Sequence, residues 1–284
     1  ASKSAAQDAL TGQPGQAVYV TDTGHLYINA NADNLLTSLD YKIKINPGAT
    51  AASTLDATND DNINYTLTTG SAIDTISLSG GVDIITSGAG ADIITTTTDS
   101  KVDTFNYGAN ELAATAVGNG NTEVDIITGF EVTVDVLSVS LAAIETGSTD
   151  WVNLDDFASV TAADTPLIAL EAVAGIFDMA TITDNTNILA IGGAGLGEGA
   201  IETALEANGD RQLTANGTWA VNDGFLVLSD DGTNSGLYLV VCLSGGVANN
   251  SAPAANELAV MKLLALPGIA ASETITAADF AIVA

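Results

Sequence analysis

Between Gly80 and Thr95 the chain reads "GGVDIITSGAGADIIT", writing Asp-Ile-Ile-Thr twice at an interval of nine residues, each time after glycine. Aligned on the acid, the pattern runs on in both directions. Asp61, Asp74, Asp83, Asp92 and Asp103 stand at intervals of 13, 9, 9 and 11 residues, and the residues two places after them are Ile63, Ile76, Ile85, Ile94 and Phe105. A later echo, "VDIITGF", sets Asp125 before Ile126 and Ile127. A repeat this short cannot close a core by itself, so it predicts stacked units rather than a globule of unique elements.

Nine residues suffice for one short strand and one tight turn, and two such units make one coil of a flattened solenoid with strands in two parallel sheets. Glycine before the acid permits positive φ and close approach of backbones. Same-side turns then lie 18 residues apart, which places Asp74 and Asp92 one above the other. Carboxylates stacked at the strand spacing of about 4.8 Å repel unless a cation lies between them. Carboxylate and turn-carbonyl oxygens make a hard, oxygen-only donor set suited to Ca²⁺.

Charge points the same way. The chain carries 35 acids against six bases, a formal −29, yet 46% of its residues are hydrophobic. It has too much apolar material for a disordered acidic tail and too much like charge for an unassisted compact state. The balance argues against nucleic acid and anionic membranes as partners, since both call for basic patches. No apolar run reaches transmembrane length.

The repeat resembles the calcium-binding nonapeptide of the RTX (hemolysin-type) family, Gly-Gly-x-Gly-x-Asp-x-apolar-x. In "SGAGADIIT" Gly88 and Gly90 hold the second and fourth places and Asp92 the sixth. "LSGGVDIIT" keeps Gly81 at the fourth place with Gly80 before it, and "TGSAIDTIS" keeps Gly70 before Asp74. The resemblance implies a short parallel β-roll holding about two to four Ca²⁺. Its candidate ligating set is Asp61, Gly70, Asp74, Gly80, Gly81, Asp83, Gly88, Gly90, Asp92 and Asp103. "VDIITGFEVTVDVLSVS" (124–140) looks like the segment that closes many such rolls, its alternating half suited to a strand over the open end.

The expected fold class is mostly β, in three parts. Residues 1–56 form an N-terminal β unit, with "AVYV" and "HLYI" around Asp22-Thr23-Gly24 as a hairpin, after a short helix in "SKSAAQDAL". Residues 57–140 form the calcium-binding roll with its capping strand. Residues 141–284 form a β-rich domain with a few short helices: "GEGAIETALEANGD" reads as a helix and "FLVLS" with "LYLVVCL" as a hairpin. The spacing of "NELAVMKLLAL" fits strand and helix alike. The tail "SETITAADFAIVA" resembles the uncleaved C-terminal signal of type I secretion substrates and equally reads as a final strand.

No catalytic set accompanies these features. The single histidine, His25, falls in a predicted hairpin, and neither His-Glu-x-x-His nor Gly-x-Ser-x-Gly occurs. The glycine-rich "GGAGLGEG" has no following basic residue for a phosphate loop. Cys242, Trp151 and Trp219 are expected in cores. The N-terminal stretch lacks the apolar region of a secretory signal. The sequence thus predicts a non-enzymatic, extracellular, calcium-dependent structural protein of a cell surface, an S-layer, filament or adhesin component partnered by calcium ions and by copies of itself. The alternative is the C-terminal calcium-binding and export module of a larger RTX enzyme or toxin.

Overall fold

A computed structural model describes residues 17–20, 25–28, 41–44, 54–57, 64–78, 80–107, 124–140, 150–151, 169–173, 177–179, 186–193, 195, 197–243, 247–248 and 251–283. Asp61, Asp22-Thr23-Gly24 and the "SKSAAQDAL" segment lie outside them. The described chain is mostly β, with one α-helix and extensive parallel sheet.

Three short strands, β1 (Ala17–Val20), β2 (His25–Ile28) and β3 (Tyr41–Lys44), form an antiparallel sheet in that order, with His25 opposite Val20 and Lys44. The repeat follows. Its strands are β4 (Thr54–Ala57), β5 (Thr66–Thr68), β6 (Thr75–Leu78), β7 (Ile84–Thr86), β8 (Ile93–Thr95), β9 (Thr104–Tyr107), β10 (Asp125–Thr128) and β11 (Val136–Ser140). They alternate between two sheets: β4, β6, β8 and β10 lie side by side and parallel in one, β5, β7, β9 and β11 in the other. Register follows the acid, with Ile76 beside Ile94 in one sheet and Ile85 beside Phe105 in the other.

Strand alternation explains the burial. Side chains two apart share a face, so each acid and the apolar residue two places on both point between the sheets. Ile76, Ile85, Ile94, Phe105, Ile127 and Leu137 are all buried there in one apolar cluster.

The rest of the described chain comprises β12 (Asp150–Trp151), β13 (Ala169–Val173), β14 (Phe177–Asp178), β15 (Thr186–Ile191), α1 (Glu198–Leu205), β16 (Leu213–Thr214), β17 (Asp223–Asp230), β18 (Ser235–Cys242), β19 (Leu258–Leu266) and β20 (Phe280–Val283). These strands do not stand apart from the repeat. β19 runs parallel beside β10, and the first large sheet continues through β18, β17 and β15 to β13. β20 runs parallel beside β11, pairing Leu137 with Phe280. The chain leaves the stack after β11 and returns with β19 and β20 as a further level, in the same sheet order as the levels before it.

One expectation is thereby corrected, and one open reading is settled. β11 is not a cap over an open end: it is interior, with β9 on one side and β20 on the other. Its alternating pattern reports one buried and one open face, which an interior strand shares with a capping one. "NELAVMKLLAL" is strand β19, buried over nearly its whole length. The hairpin β17–β18 forms as expected, and it too is buried on both faces. Leu226 and Leu228 face the cluster shared with the repeat. Phe225 and Val227 face a second one, with Trp219, Tyr238, Cys242 and the Ile201 and Leu205 side chains of α1. Coverage on both faces removes the alternation that periodicity relies on.

Candidate functional site

The candidate site consists of two columns of buried aspartates, one at each edge of the stacked repeat. Asp74, Asp92 and Asp125 stand where the chain enters β6, β8 and β10. Asp83, Asp103 and Asp135 stand where it enters β7, β9 and β11. All six are no more than 3% exposed.

Within each column the acids are linked through the main chain. The Asp74 N–H donates to Asp92 Oδ1 at 2.7 Å, and the Asp92 N–H to Asp125 Oδ1 at 2.8 Å. In the other column the N–H groups of Tyr65, Asp83 and Asp103 donate to Oδ1 of Asp83, Asp103 and Asp135 at 2.7, 3.0 and 2.9 Å. A carboxylate thus meets the amide of the level beside it, not the next carboxylate face to face. The amide's positive pole takes part of the role that the sequence argument gave to a cation.

Second oxygens have partners of their own. Asp74 Oδ2 accepts from Gly70 N at 3.3 Å, Asp125 Oδ2 from Ser87 Oγ at 3.1 Å and Asp135 Oδ2 from Glu131 N at 2.7 Å. Not every second oxygen does: Asp83 Oδ2 is buried with no hydrogen-bond partner. A parallel outer chain runs beside the second column, from Gly81 N to Asp99 Oδ2 at 2.9 Å and from Asp99 N to Glu131 Oε2 at 2.7 Å.

The glycines serve contact between levels. Gly88 has φ +82°, and a Cβ there would fall 1.8 Å from the Gly70 carbonyl oxygen one level away. At Gly90, with φ +122°, a Cβ would meet the Ala72 oxygen at 2.9 Å. Gly81 also has positive φ, and Gly80 is half-buried beside it. Both turns are drawn so close that only hydrogen fits between them.

Burial dominates the electrostatics of the second column. It pushes the Asp103 carboxyl up to about 7, against the N–H bond from Asp83 and with help from the charges of Asp135, Asp83 and Asp99. Burial likewise raises Asp135 to about 6, against the N–H groups of Glu131 and Asp103. Asp83 is raised by burial and by Asp99, with the Tyr65 N–H opposing. These shifts mark carboxylates that are costly to ionise where they stand.

Of the candidate set, Asp74 and Asp92 fall in one column, Asp83 and Asp103 in the other, and the five glycines in the turns beside them. Asp61 lies outside the described residues. Asp125, Asp135, Asp99, Glu131 and Ser87 complete the network. Asp125 and Asp135 carry the same signal, an apolar residue two places later, but stand in the segment that resembles a closing cap. Among the described residues no group of three or more His, Cys, Asp or Glu side chains is gathered as a metal cluster. No family model, no curated protein and no solved structure matches the chain.

Proposed function

We propose that this chain is a calcium-stabilised structural protein of a cell exterior, with residues 57–140 as a short β-roll whose acidic turns take Ca²⁺ and whose folding on the ion leads to self-assembly. The observation that carries it is the second aspartate column. Asp83, Asp103 and Asp135 are buried, raise one another's pKa or are raised by Asp99, and leave Asp83 Oδ2 without a hydrogen-bond donor. A divalent cation relieves all of these at once, because it supplies positive charge where burial penalises anions.

The donor chemistry fits a hard cation at that place. The carboxylates of the column offer oxygen alone, and Asp83 Oδ2 accepts no hydrogen bond; the ion would have to draw them together, since the described residues do not gather three of them as a cluster. Bound calcium would supply charge neutralisation and cross-linking of levels. The residues themselves hold the turns at the required approach, through the interlevel N–H bonds and the glycines beneath them. With −29 formal charge on the chain, the unliganded form is opposed by its own repulsion, and ion binding to the folded form alone stabilises it by mass action.

The test is a calcium titration of the purified chain, followed by circular dichroism and light scattering and reversed with EGTA. The expected result is a cooperative gain of β signal and melting temperature, then growth of large particles, both undone by chelation. A melting temperature indifferent to millimolar calcium would overturn the calcium reading. A calcium-folded chain that stays monomeric at every concentration would overturn the assembly reading.

A further inference from the structure

Each aspartate of the two columns is flanked by a pair of outward residues. In the turns entering β7, β9 and β11 these are Val82 and Ile84, Val102 and Thr104, and Val134 and Val136. In the turns entering β6, β8 and β10 they are Ile73 and Thr75, Ala91 and Ile93, and Val124 and Ile126. Alternation that turns the acid inward turns both neighbours outward. Of the seven large hydrophobic side chains exposed among the described residues, five belong here: Ile73 at 56%, Val82 at 42%, Ile84 at 39%, Ile93 at 42% and Val102 at 46%. Register sets Ile84 beside Thr104 and Thr104 beside Val136 in one sheet, and Thr75, Ile93 and Ile126 in line in the other; Ile73, Val82 and Val102 stand in the turns, two places before Thr75, Ile84 and Thr104. The chain passes from one sheet to the other at each turn, so the two rows lie on opposite edges of the stack.

We propose that these two apolar rows are the contact faces through which copies of this chain join edge to edge, the Val82–Ile84–Val102 row of one copy against the Ile73–Ile93 row of the next. The proposal rests on the assembly reading above and names its interface. Three observations favour a second copy as the occupant. Both rows are built on the same one-strand spacing, so their ridges match in register. The chief obstacle to self-association of a −29 chain is like charge; along these rows the column carboxylates point inward, and the outer acids Asp99 and Glu131 beside the second column are engaged by main-chain N–H groups. Lys101, the single basic residue of the 64–140 stretch, is exposed beside Val102, where it favours an approaching acidic chain. Two different faces on opposite edges give a heterologous contact that does not close, which generates an open row.

Glutamine substitutions test this at constant net charge. Val82→Gln with Val102→Gln removes one row, and Ile73→Gln with Ile93→Gln the other; Val221→Gln with Leu243→Gln removes the two exposed hydrophobic residues elsewhere. Sedimentation velocity in calcium reads assembly, and circular dichroism with a melting curve confirms that each variant folds on the ion as the parent does. Expected are about tenfold or greater weakening of association in either row variant, no change in the Val221/Leu243 control, and species no larger than dimers when the two row variants are mixed. Row variants that assemble like the parent, or a control that weakens as much, overturn the proposed interface and leave calcium-driven assembly standing. A parent that folds on calcium and never assembles overturns both. For a row variant that does not fold, mixing Val102→Cys with Ile73→Cys chains under oxidation replaces it: disulfide-linked pairs support the contact, and their absence at concentrations where the parent assembles overturns it.

Discussion

An aspartate in these columns does two things that a substitution separates: it accepts a main-chain N–H, and it carries charge into a buried place. Asparagine keeps the acceptor and drops the charge. For Asp103→Asn without metal at pH 8, equilibrium unfolding in urea is expected to show greater stability than the parent, because a carboxylate pushed up to about 7 is no longer ionised in the core. The same variant is expected to gain less from calcium. Asp103→Ala leaves the buried Asp83 N–H without its acceptor and is expected to lose about 1–3 kcal/mol. The glycines permit a similar contrast. Gly88→Ala must place a methyl against the Gly70 carbonyl and is expected to cost about 3 kcal/mol or more. Gly195→Ala, at φ +89° with open space around it, is expected to cost only the conformational part, about 1 kcal/mol. The difference between the two urea midpoints isolates the close approach of stacked turns.

At the scale of the element, the last strand repeats the logic of the repeat with material from the far end of the chain. Asp279 is buried, caps its own short turn together with Thr276, and accepts from the Thr133 N–H in the turn before β11. Phe280 then enters the shared apolar cluster opposite Leu137. Phe280→Ala is expected to lower stability by about 3–5 kcal/mol, the cost of an emptied aromatic site. Asp279→Ala is expected to cost about 1–3 kcal/mol through the lost cap and the orphaned Thr133 amide. Hydrogen exchange is the discriminating readout. With β20 loosened, protection should fall in β11 first, because its amides and carbonyls border that strand.

For the whole molecule the decisive quantity is proton linkage. Asp103 and Asp135 hold protons in the folded, metal-free protein up to about 7 and about 6, whereas the unfolded chain releases them near 3.8. Between about pH 4 and pH 7 the folded state therefore binds more protons, and its stability falls as pH rises through that window. Calcium requires the ionised form, so its contribution grows over the same range. Melting temperatures measured from pH 4.5 to pH 8 are expected to fall with pH in EGTA and to fall far less, or rise, in calcium. Parallel curves in the two conditions would place the ion elsewhere than on this column. Burial in one continuous apolar cluster from Leu55 to Phe280 further predicts that the repeat and the C-terminal strands unfold together.

The sequence by itself determined the local rule of this protein. An acid, an outward residue and an apolar residue recur at a fixed offset, and strand alternation is enough to turn that offset into stacked levels with acids and core on the same side. It also placed the glycines, since a turn packed against another turn admits nothing larger. What the acids meet was decided only in three dimensions, because an interlevel N–H donor sits 18 to 33 residues away and carries no side-chain signature. Tertiary structure likewise decided that β19 and β20 complete the stack. Parallel pairing is set by which apolar faces remain to be covered, and "LAVMKLLAL" and "FAIV" look the same in sequence whether they cover this stack or close a core of their own.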